Sequence, residues 1–184
     1  MKENRFIRWE KGCFHYLDQT QLPGRECWLR ALDARTVAES IRSLQIRGAP
    51  LIGIAAAFAV CLEAEKLAER KLSPAEFRRE LQQVHHMLLA TRPTAVNLAW
   101  ALQRMQNVWN GILEDLERSS AEGAWDERWR EKLVAELVRE ACAIRDEDEE
   151  NCRRIGECGA DLLAEQAGSR RELTLMTYCN TGSL

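Results

Sequence analysis

The sequence predicts an α+β fold, in which a mostly helical N-terminal domain with a small antiparallel sheet precedes the first strand of an α/β domain. Three observations support this fold class. Short β-prone runs flank Gly12 near the start, and apolar residues then recur at spacings of three and four through most of the chain. The only convincing buried strand in the second half of the sequence, residues 172–178, then leads into Gly182, as at the beginning of an α/β unit.

The composition describes a soluble chain with a substantial core. Of its 184 residues, 46% are hydrophobic and 30% are charged, and the net charge is -3. Nucleic-acid binding is not expected, because it needs a clustered positive field. No membrane association is expected either, since the longest apolar run, residues 51–62, is shorter than the ~18 residues of a membrane span.

The seven cysteines and three histidines show no metal-ligand spacing. The cysteine number is odd and no Cys-x-x-Cys occurs, which argues against a disulfide framework and against a zinc site. We therefore expect a cytoplasmic protein without a metal. His15, His85 and His86 are interpreted as structural or surface residues.

The first strands are predicted from β-prone runs and turn signals. Residues 6–9 and 13–17 form a hairpin around Gly12, and residues 27–29 add a third strand after Pro23-Gly24.

Helices follow the sheet. Asp33 caps the first helix, whose buried face is Val37, Ile41 and Leu44. Pro50 opens the second, which is apolar on all sides and should be central. The third begins at the capping box of Ser73.

The remaining helices are predicted from periodicity. A fourth starts at Pro93, a loop lies at residues 121–123, and a long helical pattern runs from Trp125. In this last pattern Trp129, Leu133, Leu137 and Ile144 face inward, and the pattern continues, with a break, to Ile155, Leu162 and Leu163. The acidic run at residues 146–150 is interpreted as a solvated helix face.

These elements suggest three parts of the chain. Residues 1–30 form the sheet region, residues 31–168 the helical part of the N-terminal domain, and residues 169–184 the start of a second domain. A lone strand cannot satisfy its own backbone hydrogen bonds. We therefore expect that the chain is cut off inside this second domain.

Two helix starts have features that suit an anion. Arg47-Gly48-Ala49-Pro50 places a cation and a flexible glycine before the second helix. Free N–H groups, the helix dipole and a guanidinium together favour a phosphate. Arg92-Pro93-Thr94 repeats this arrangement at the fourth helix, and an arginine can bind two phosphate oxygens at once.

The final segment, Cys179-Asn180-Thr181-Gly182, follows a predicted strand, where ligands of open α/β sheets bind. A cysteine near a helix start has a lowered thiol pKa and useful reactivity. Each signal is weak alone, since most such arginines are surface residues and most lone cysteines are inert. The other six cysteines are interpreted as packing or surface residues.

Taken together and in order, five segments resemble those of the methylthioribose-1-phosphate isomerases. They include the Arg47, Arg92 and Cys179 segments and lie at residues 17–23, 47–53, 92–98, 151–160 and 179–184. The family also includes ribose-1,5-bisphosphate isomerases and regulatory subunits of the translation factor that exchanges nucleotide on initiation factor two. The resemblance covers essentially the whole chain.

The resemblance implies a fold and an activity. The second domain would be Rossmann-like. The activity is an aldose–ketose isomerisation of 5-methylthioribose 1-phosphate to 5-methylthioribulose 1-phosphate, in methionine salvage. The partner is this small-molecule sugar phosphate, no metal or organic cofactor is needed, and the full-length protein is a homodimer.

The resemblance also implies site residues. Arg47 and Arg92 bind the substrate phosphate, Gly48 and Ala49 offer backbone donors, and Cys179 is the catalytic cysteine. The family's catalytic aspartate lies in the C-terminal domain and has no counterpart here, so the 184-residue chain alone is expected to be inactive.

Three alternatives stay open. The substrate can be another pentose 1-phosphate, such as ribose 1,5-bisphosphate or 5-deoxyribose 1-phosphate. The chain can instead belong to a non-catalytic module like the translation-factor subunits, or be an inert fragment.

Overall fold

The computed structural model describes residues 5–10, 12–70, 72–118, 126–168 and 172–177. In this part of the chain a three-stranded antiparallel sheet is followed by five α-helices. The elements are β1 (Ile7–Glu10), β2 (Cys13–Leu17), β3 (Trp28–Ala31), α1 (Ala34–Arg42), α2 (Ala49–Ala68), α3 (Pro74–Leu89), α4 (Val96–Arg118) and α5 (Glu127–Ala167). The predicted fold class, mostly helical with a small antiparallel sheet, is confirmed.

The sheet has the strand order β1-β2-β3, with Ile7 opposite Tyr16 and Phe14 opposite Ala31. All four of these side chains are buried, because alternate residues of a strand point to the same face. The predicted bounds of β2 are confirmed. The other two strands begin one residue later than predicted.

Helix α2 is the centre of the molecule, as its uniformly apolar sequence predicts. It packs against every other helix and against β2. Trp9 and Phe14 stack on Phe58 of α2, with ring centroids 5.2 and 5.5 Å apart respectively. The sheet and the helices therefore share one hydrophobic core.

The predicted start of α1 is confirmed, since the Asp33 carboxylate accepts a hydrogen bond from the Thr36 N–H at 2.7 Å. Val37 and Ile41 are buried. The placement of Leu44 on the same buried face is wrong. The helix ends at Arg42, and Leu44 lies beyond it at φ 62°, 47% exposed.

The capping box of α3 is confirmed. Ser73 accepts a hydrogen bond from the Glu76 N–H, the Glu76 carboxylate accepts one from the Ser73 N–H, and Pro74 is the first helical residue. Phe77, Leu81 and Leu88 face the core, and Val84 is half-buried.

Helix α4 begins at Val96, so the predicted start at Pro93 is wrong. Residues 92–95 form a turn, closed by the Ala95 N–H donating to the Arg92 carbonyl at 3.0 Å. The fixed φ of proline suits the second position of such a turn as well as the first turn of a helix.

Helix α5 continues without a break from Glu127 to Ala167, so the predicted break is wrong. Leu133, Leu137 and Ile144 are buried and Trp129 is half-buried, whereas Ile155 is 73% and Leu162 57% exposed. The 41 residues of α5 span about 60 Å, twice the length of α2. Only its first half has neighbouring helices long enough to cover it.

The strand predicted at residues 172–178 is wrong for residues 172–177, which are irregular and exposed. A strand needs a pairing neighbour, and the described part of the chain supplies none there. Residues 178–184 and the predicted loop at residues 121–123 lie outside the described residues, and the domain division stays a prediction. No helix in the described ranges is long and apolar enough to cross a membrane.

Helices α2 and α4 approach each other closely at a glycine. A β-carbon built on Gly53 would lie 2.6 Å from the Asn97 carbonyl oxygen and 3.3 Å from the Ala101 β-carbon. Because both helices are rigid there, any side chain at this position must push their backbones apart.

We predict that Gly53→Ala destabilises the protein by about 1–3 kcal/mol or more, because the added methyl overpacks this contact. The measurement is the free energy of unfolding in urea. The matched control is Gly111→Ala in the exposed face of α4, where nothing lies within 4 Å of the new β-carbon. This control should stabilise by about 0.5–1 kcal/mol. Equal effects at both positions would contradict the interpretation.

Candidate functional site

The start of α2 leaves backbone donors free. Gly48 precedes the helix at φ 108° and ψ 132°, a conformation that strongly favours glycine, and no side chain caps the helix. Pro50 has no N–H, and the N–H groups of Ala49 and Leu51 have no partner among the described residues. These donors and the positive end of the helix dipole suit an anion.

The loop before α2 is hydrogen-bonded to the turn that follows β2. The Arg47 N–H donates to the Gln19 side-chain oxygen at 2.8 Å, and the Gln19 N–H donates to the Gln45 carbonyl at 3.0 Å. Gln19 is buried and Arg47 is half-buried. These two hydrogen bonds therefore hold the loop in one conformation at the N-terminus of α2.

The start of α4 places Arg92 in an exposed turn. Thr91 beside it is buried, and its hydroxyl donates to the Leu88 carbonyl at 2.7 Å. Within the described ranges, neither the Arg92 nor the Arg47 guanidinium pairs with a carboxylate. Both cations are therefore free to meet an anionic ligand.

A pocket of about 190 Å³ lies where the starts of α2 and α4 meet the middle of α5. Its lining residues come from these three helices. They are Pro50, Gly53, Ile54, Asn97, Trp100, Ala101, Ile144, Glu147, Asp148 and Asn151. Pro50 at the start of α2 and Asn97 at the start of α4 thus line the same pocket, whereas Arg47, Gly48, Ala49 and Arg92 are not among its lining residues.

One wall of the pocket is fixed by Arg104 of α4. Its guanidinium donates two hydrogen bonds to Glu147 and one, at 2.6 Å, to Glu140, both on α5. It also lies 4.9 Å from the ring centre of Trp100. The bonds from Arg104 lower the pKa of the Glu147 carboxyl, so this group stays ionised and paired.

Asp148 has a different environment from its neighbour in the acidic run. Burial raises the pKa of the Asp148 carboxyl, and the nearby Glu149 carboxylate raises it further. The run does lie on a helix, as predicted, but it is not uniformly solvated. The helical turn directs Glu147 to Arg104 and places Asp148 in the pocket wall.

The described cysteines and histidines are not assembled into a site. Cys61 is buried, and burial raises the pKa of its thiol well above the usual value, which keeps it protonated. Cys152 and Cys158 are exposed, and the other three described cysteines are half-buried. Within the described ranges no group of three or more potential ligands could hold a metal ion.

The predicted site residues therefore have different outcomes. Arg47, Gly48 and Ala49 lie together at the start of α2, and Arg92 lies in the turn before α4. Cys179 lies outside the described residues. Sequence reasoning did not assign Gln19 or the polar pocket residues, because they contact the site only through the packing of distant segments.

Relatives of known name resemble this chain over nearly its whole length. A methylthioribose-1-phosphate isomerase of Geotalea uraniireducens is 41% identical over 181 residues, which is 98% of this chain and 46% of the relative. A 5-deoxyribose 1-phosphate isomerase of Moorella thermoacetica is 40% identical over 97% of this chain and 45% of the relative. The chain thus spans about half the length of these curated relatives.

Two solved structures share the fold. The 5-methylthioribose 1-phosphate isomerase of Pyrococcus horikoshii matches with a TM-score of 0.71 and 31% identity, over 88% of this chain and 41% of that one. The delta subunit of the translation initiation factor eIF-2B from A. fulgidus matches with a TM-score of 0.66 and 31% identity, over 87% and 42%.

The family model named "Initiation factor 2 subunit family" matches residues 45–184. The match begins in the loop that carries Arg47 and includes the start of α4. The predicted resemblance to methylthioribose-1-phosphate isomerases is confirmed by the relatives. The chain belongs to the initiation factor 2 subunit family.

Proposed function

We propose that the protein containing this chain is a sugar-phosphate isomerase that converts 5-methylthioribose 1-phosphate to 5-methylthioribulose 1-phosphate in methionine salvage. The observation that carries this proposal is the start of α2, where N–H groups without a partner among the described residues, Gly48 and Arg47 are features that suit an anion. The names of the relatives support the reaction class. We further propose a cytoplasmic homodimer, without a metal or organic cofactor.

The substrate phosphate is assigned to this helix start. The Ala49 N–H donates to a phosphate oxygen, and Gly48 lets the backbone approach closely. Arg47 and Arg92 add charge-assisted hydrogen bonds, which are about twice as strong as neutral ones. In this arrangement the binding energy comes from the phosphate, which takes no part in the hydrogen transfer.

The sugar is assigned to the adjacent pocket. Pro50 belongs both to the helix start and to the pocket lining, so a ligand at one reaches the other. Asn97, Asp148 and Asn151 in that lining offer amide and carboxyl groups that suit sugar hydroxyls. The remaining lining residues include the apolar residues Trp100, Ala101 and Ile144, of which Ala101 and Ile144 are buried.

The chemistry requires an acid–base pair. A phosphate on C1 stops the sugar ring from opening freely, so the ring oxygen must be protonated as its bond to C1 breaks. A hydrogen then moves from C2 to C1, as a proton through an enediol or as a hydride, while the C2 hydroxyl loses its proton and becomes the ketone. Cys179 and a carboxylate from outside this chain are assigned to these proton transfers.

A related substrate is the main alternative. The Moorella relative is named for 5-deoxyribose 1-phosphate, which differs from methylthioribose 1-phosphate only in lacking the methylthio group. Turnover of these two sugars and of ribose 1,5-bisphosphate, compared as kcat/KM, separates the candidates. Preference for either alternative sugar would contradict the methylthioribose assignment.

A non-catalytic role is the alternative from another class. It is favoured by the likeness to the eIF-2B delta subunit of A. fulgidus. Cys179 favours the enzyme, since a regulatory subunit needs no reactive thiol. An active protein that depends on Cys179 would exclude the regulatory role.

We predict that the 184-residue chain alone does not turn over methylthioribose 1-phosphate, because the carboxylate of the acid–base pair is missing. A chimera that joins residues 1–184 to the remaining part of the Geobacter metallireducens isomerase, which is 42% identical over 181 residues, should be active. Formation of the ketose is measured for both proteins. Turnover by the chain alone, or a folded but inactive chimera, would contradict the prediction.

In the active chimera, Arg47→Ala should raise KM at least about tenfold with little change in kcat, because a phosphate contact is lost equally from bound substrate and transition state. The control is Arg79→Ala, which removes an exposed arginine of α3 and should leave both constants unchanged. An unchanged KM in Arg47→Ala would remove this residue from the site.

Cys179→Ser should lower kcat about 100-fold or more with little effect on KM, because a proton-transfer group is lost. Cys158→Ser, at an exposed position of α5, is its control and should behave like the unsubstituted protein. Full activity in Cys179→Ser would contradict the catalytic assignment.

A further inference from the structure

We propose that Gln19 is a positioning residue, which holds the Arg47-Gly48-Ala49 loop in its phosphate-binding conformation. This inference rests on the proposed function and deepens it. Gln19 itself does not contact the phosphate in this assignment. It acts through the backbone of Arg47.

The direct contact is the hydrogen bond from the Arg47 N–H to the Gln19 side-chain oxygen at 2.8 Å. Arg47 is the last residue before Gly48, and Gly48 carries no side chain that could fix its own conformation. A glycine at φ 108° has neighbouring conformations within easy reach. The hydrogen bond at Arg47 therefore restricts the backbone rotation at Gly48 that would otherwise turn the Ala49 N–H away from a ligand.

A second bond makes the contact a two-point clamp. The Gln19 N–H donates to the Gln45 carbonyl at 3.0 Å. The backbone and the side chain of Gln19 therefore bond to two loop residues, Gln45 and Arg47, which are two positions apart. The Gln45 side chain also donates to the Asp18 carboxylate at 3.3 Å. The loop cannot rotate about one bond without straining the other.

The residues that supply the side-chain acceptors of the clamp are buried, which makes their loss costly. Gln19 is 8% and Asp18 6% exposed, and Ile46 between the two gripped residues is 1% exposed. The hydrogen bond from the half-buried Arg47 is itself part-buried, so water replaces the Gln19 oxygen only in part as acceptor for the Arg47 N–H, and a poorly satisfied donor is destabilising. Position 19 therefore requires a side chain that carries a buried hydrogen-bond acceptor.

The test uses nuclear magnetic resonance on the 184-residue chain. Amide hydrogen exchange at Arg47 is measured without ligand, and inorganic phosphate is titrated while the Gly48 and Ala49 amide signals are followed. Gln19→Met keeps the size of the side chain and removes the acceptor. We expect amide exchange at Arg47 to become about tenfold faster and the Kd for phosphate to rise about tenfold. Each change corresponds to the loss of one hydrogen bond.

Two further variants separate positioning from general damage to the fold. Gln21→Met alters an exposed glutamine of the same short turn and should leave exchange and phosphate affinity unchanged. Gln19→Glu keeps an acceptor oxygen, so it should lie closer to the unsubstituted chain than Gln19→Met in both measurements. A purely electrostatic effect would give the opposite order, because the added negative charge repels phosphate.

Unchanged exchange and affinity in Gln19→Met, or equal impairment in Gln19→Glu and Gln19→Met, would overturn the proposal. Faster exchange without weaker phosphate binding would also overturn it, because the bond would then exist without positioning the site. If phosphate does not shift the Gly48 and Ala49 signals in the unsubstituted chain, the anion site of the proposed function is itself wrong. The exchange measurement, made without phosphate, distinguishes that failure from a failure of the clamp.

Discussion

The contact between α2 and α4 at Gly53 sets the geometry on which the candidate site depends. With no side chain at Gly53, the helices approach until the Asn97 carbonyl lies where a β-carbon would be. This approach brings the first turns of both helices to one pocket, and α5 closes the pocket from the other side. Packing therefore determines the shape of the pocket, since Pro50 and Asn97 line it only where the two helix backbones approach.

The packing of the helices also determines which charged residues near the pocket are paired. Arg104 is committed to Glu140 and Glu147 across the α4–α5 interface, so it stabilises the scaffold and is not available to a ligand. Arg47 and Arg92 have no carboxylate partner in the described ranges. These three arginines thus differ in whether an acidic partner is present among the described residues. Asp148 completes the contrast with Glu147, because burial favours its protonated form while its neighbour stays ionised.

Local signals were sufficient to predict much of the fold. The Asp33 and Ser73 caps, the strand at β2 and the central position of α2 depend on residues close together in sequence, and the structure confirms each. The errors arose where a local signal suits two structures, or where the outcome depends on distant partners. Residues 172–177 have strand-like composition but no pairing neighbour among the described residues. Pro93 fits both a turn and a helix start, and only the bond from Ala95 to Arg92 decides between them. Gln19 could not be assigned, because its partner lies 28 residues away.

The hydrogen bonds around Gln19 also give the small sheet a role beyond covering the core. Asp18 extends the β2–β3 pairing by one step, through its N–H to the Cys27 carbonyl at 2.8 Å, so sheet register fixes where Gln19 lies. The α1 helix contributes from the other side. Ser40 accepts the Ile46 N–H at 3.0 Å through its carbonyl, and its hydroxyl contacts the Tyr16 hydroxyl at 2.7 Å. Strand register, helix α1 and the loop before α2 thus form one connected set of constraints. A shift of the β2–β3 register by one residue would displace the turn that follows β2 and carries Gln19, and the Arg47 N–H would lose its acceptor although no residue of the candidate anion site had changed.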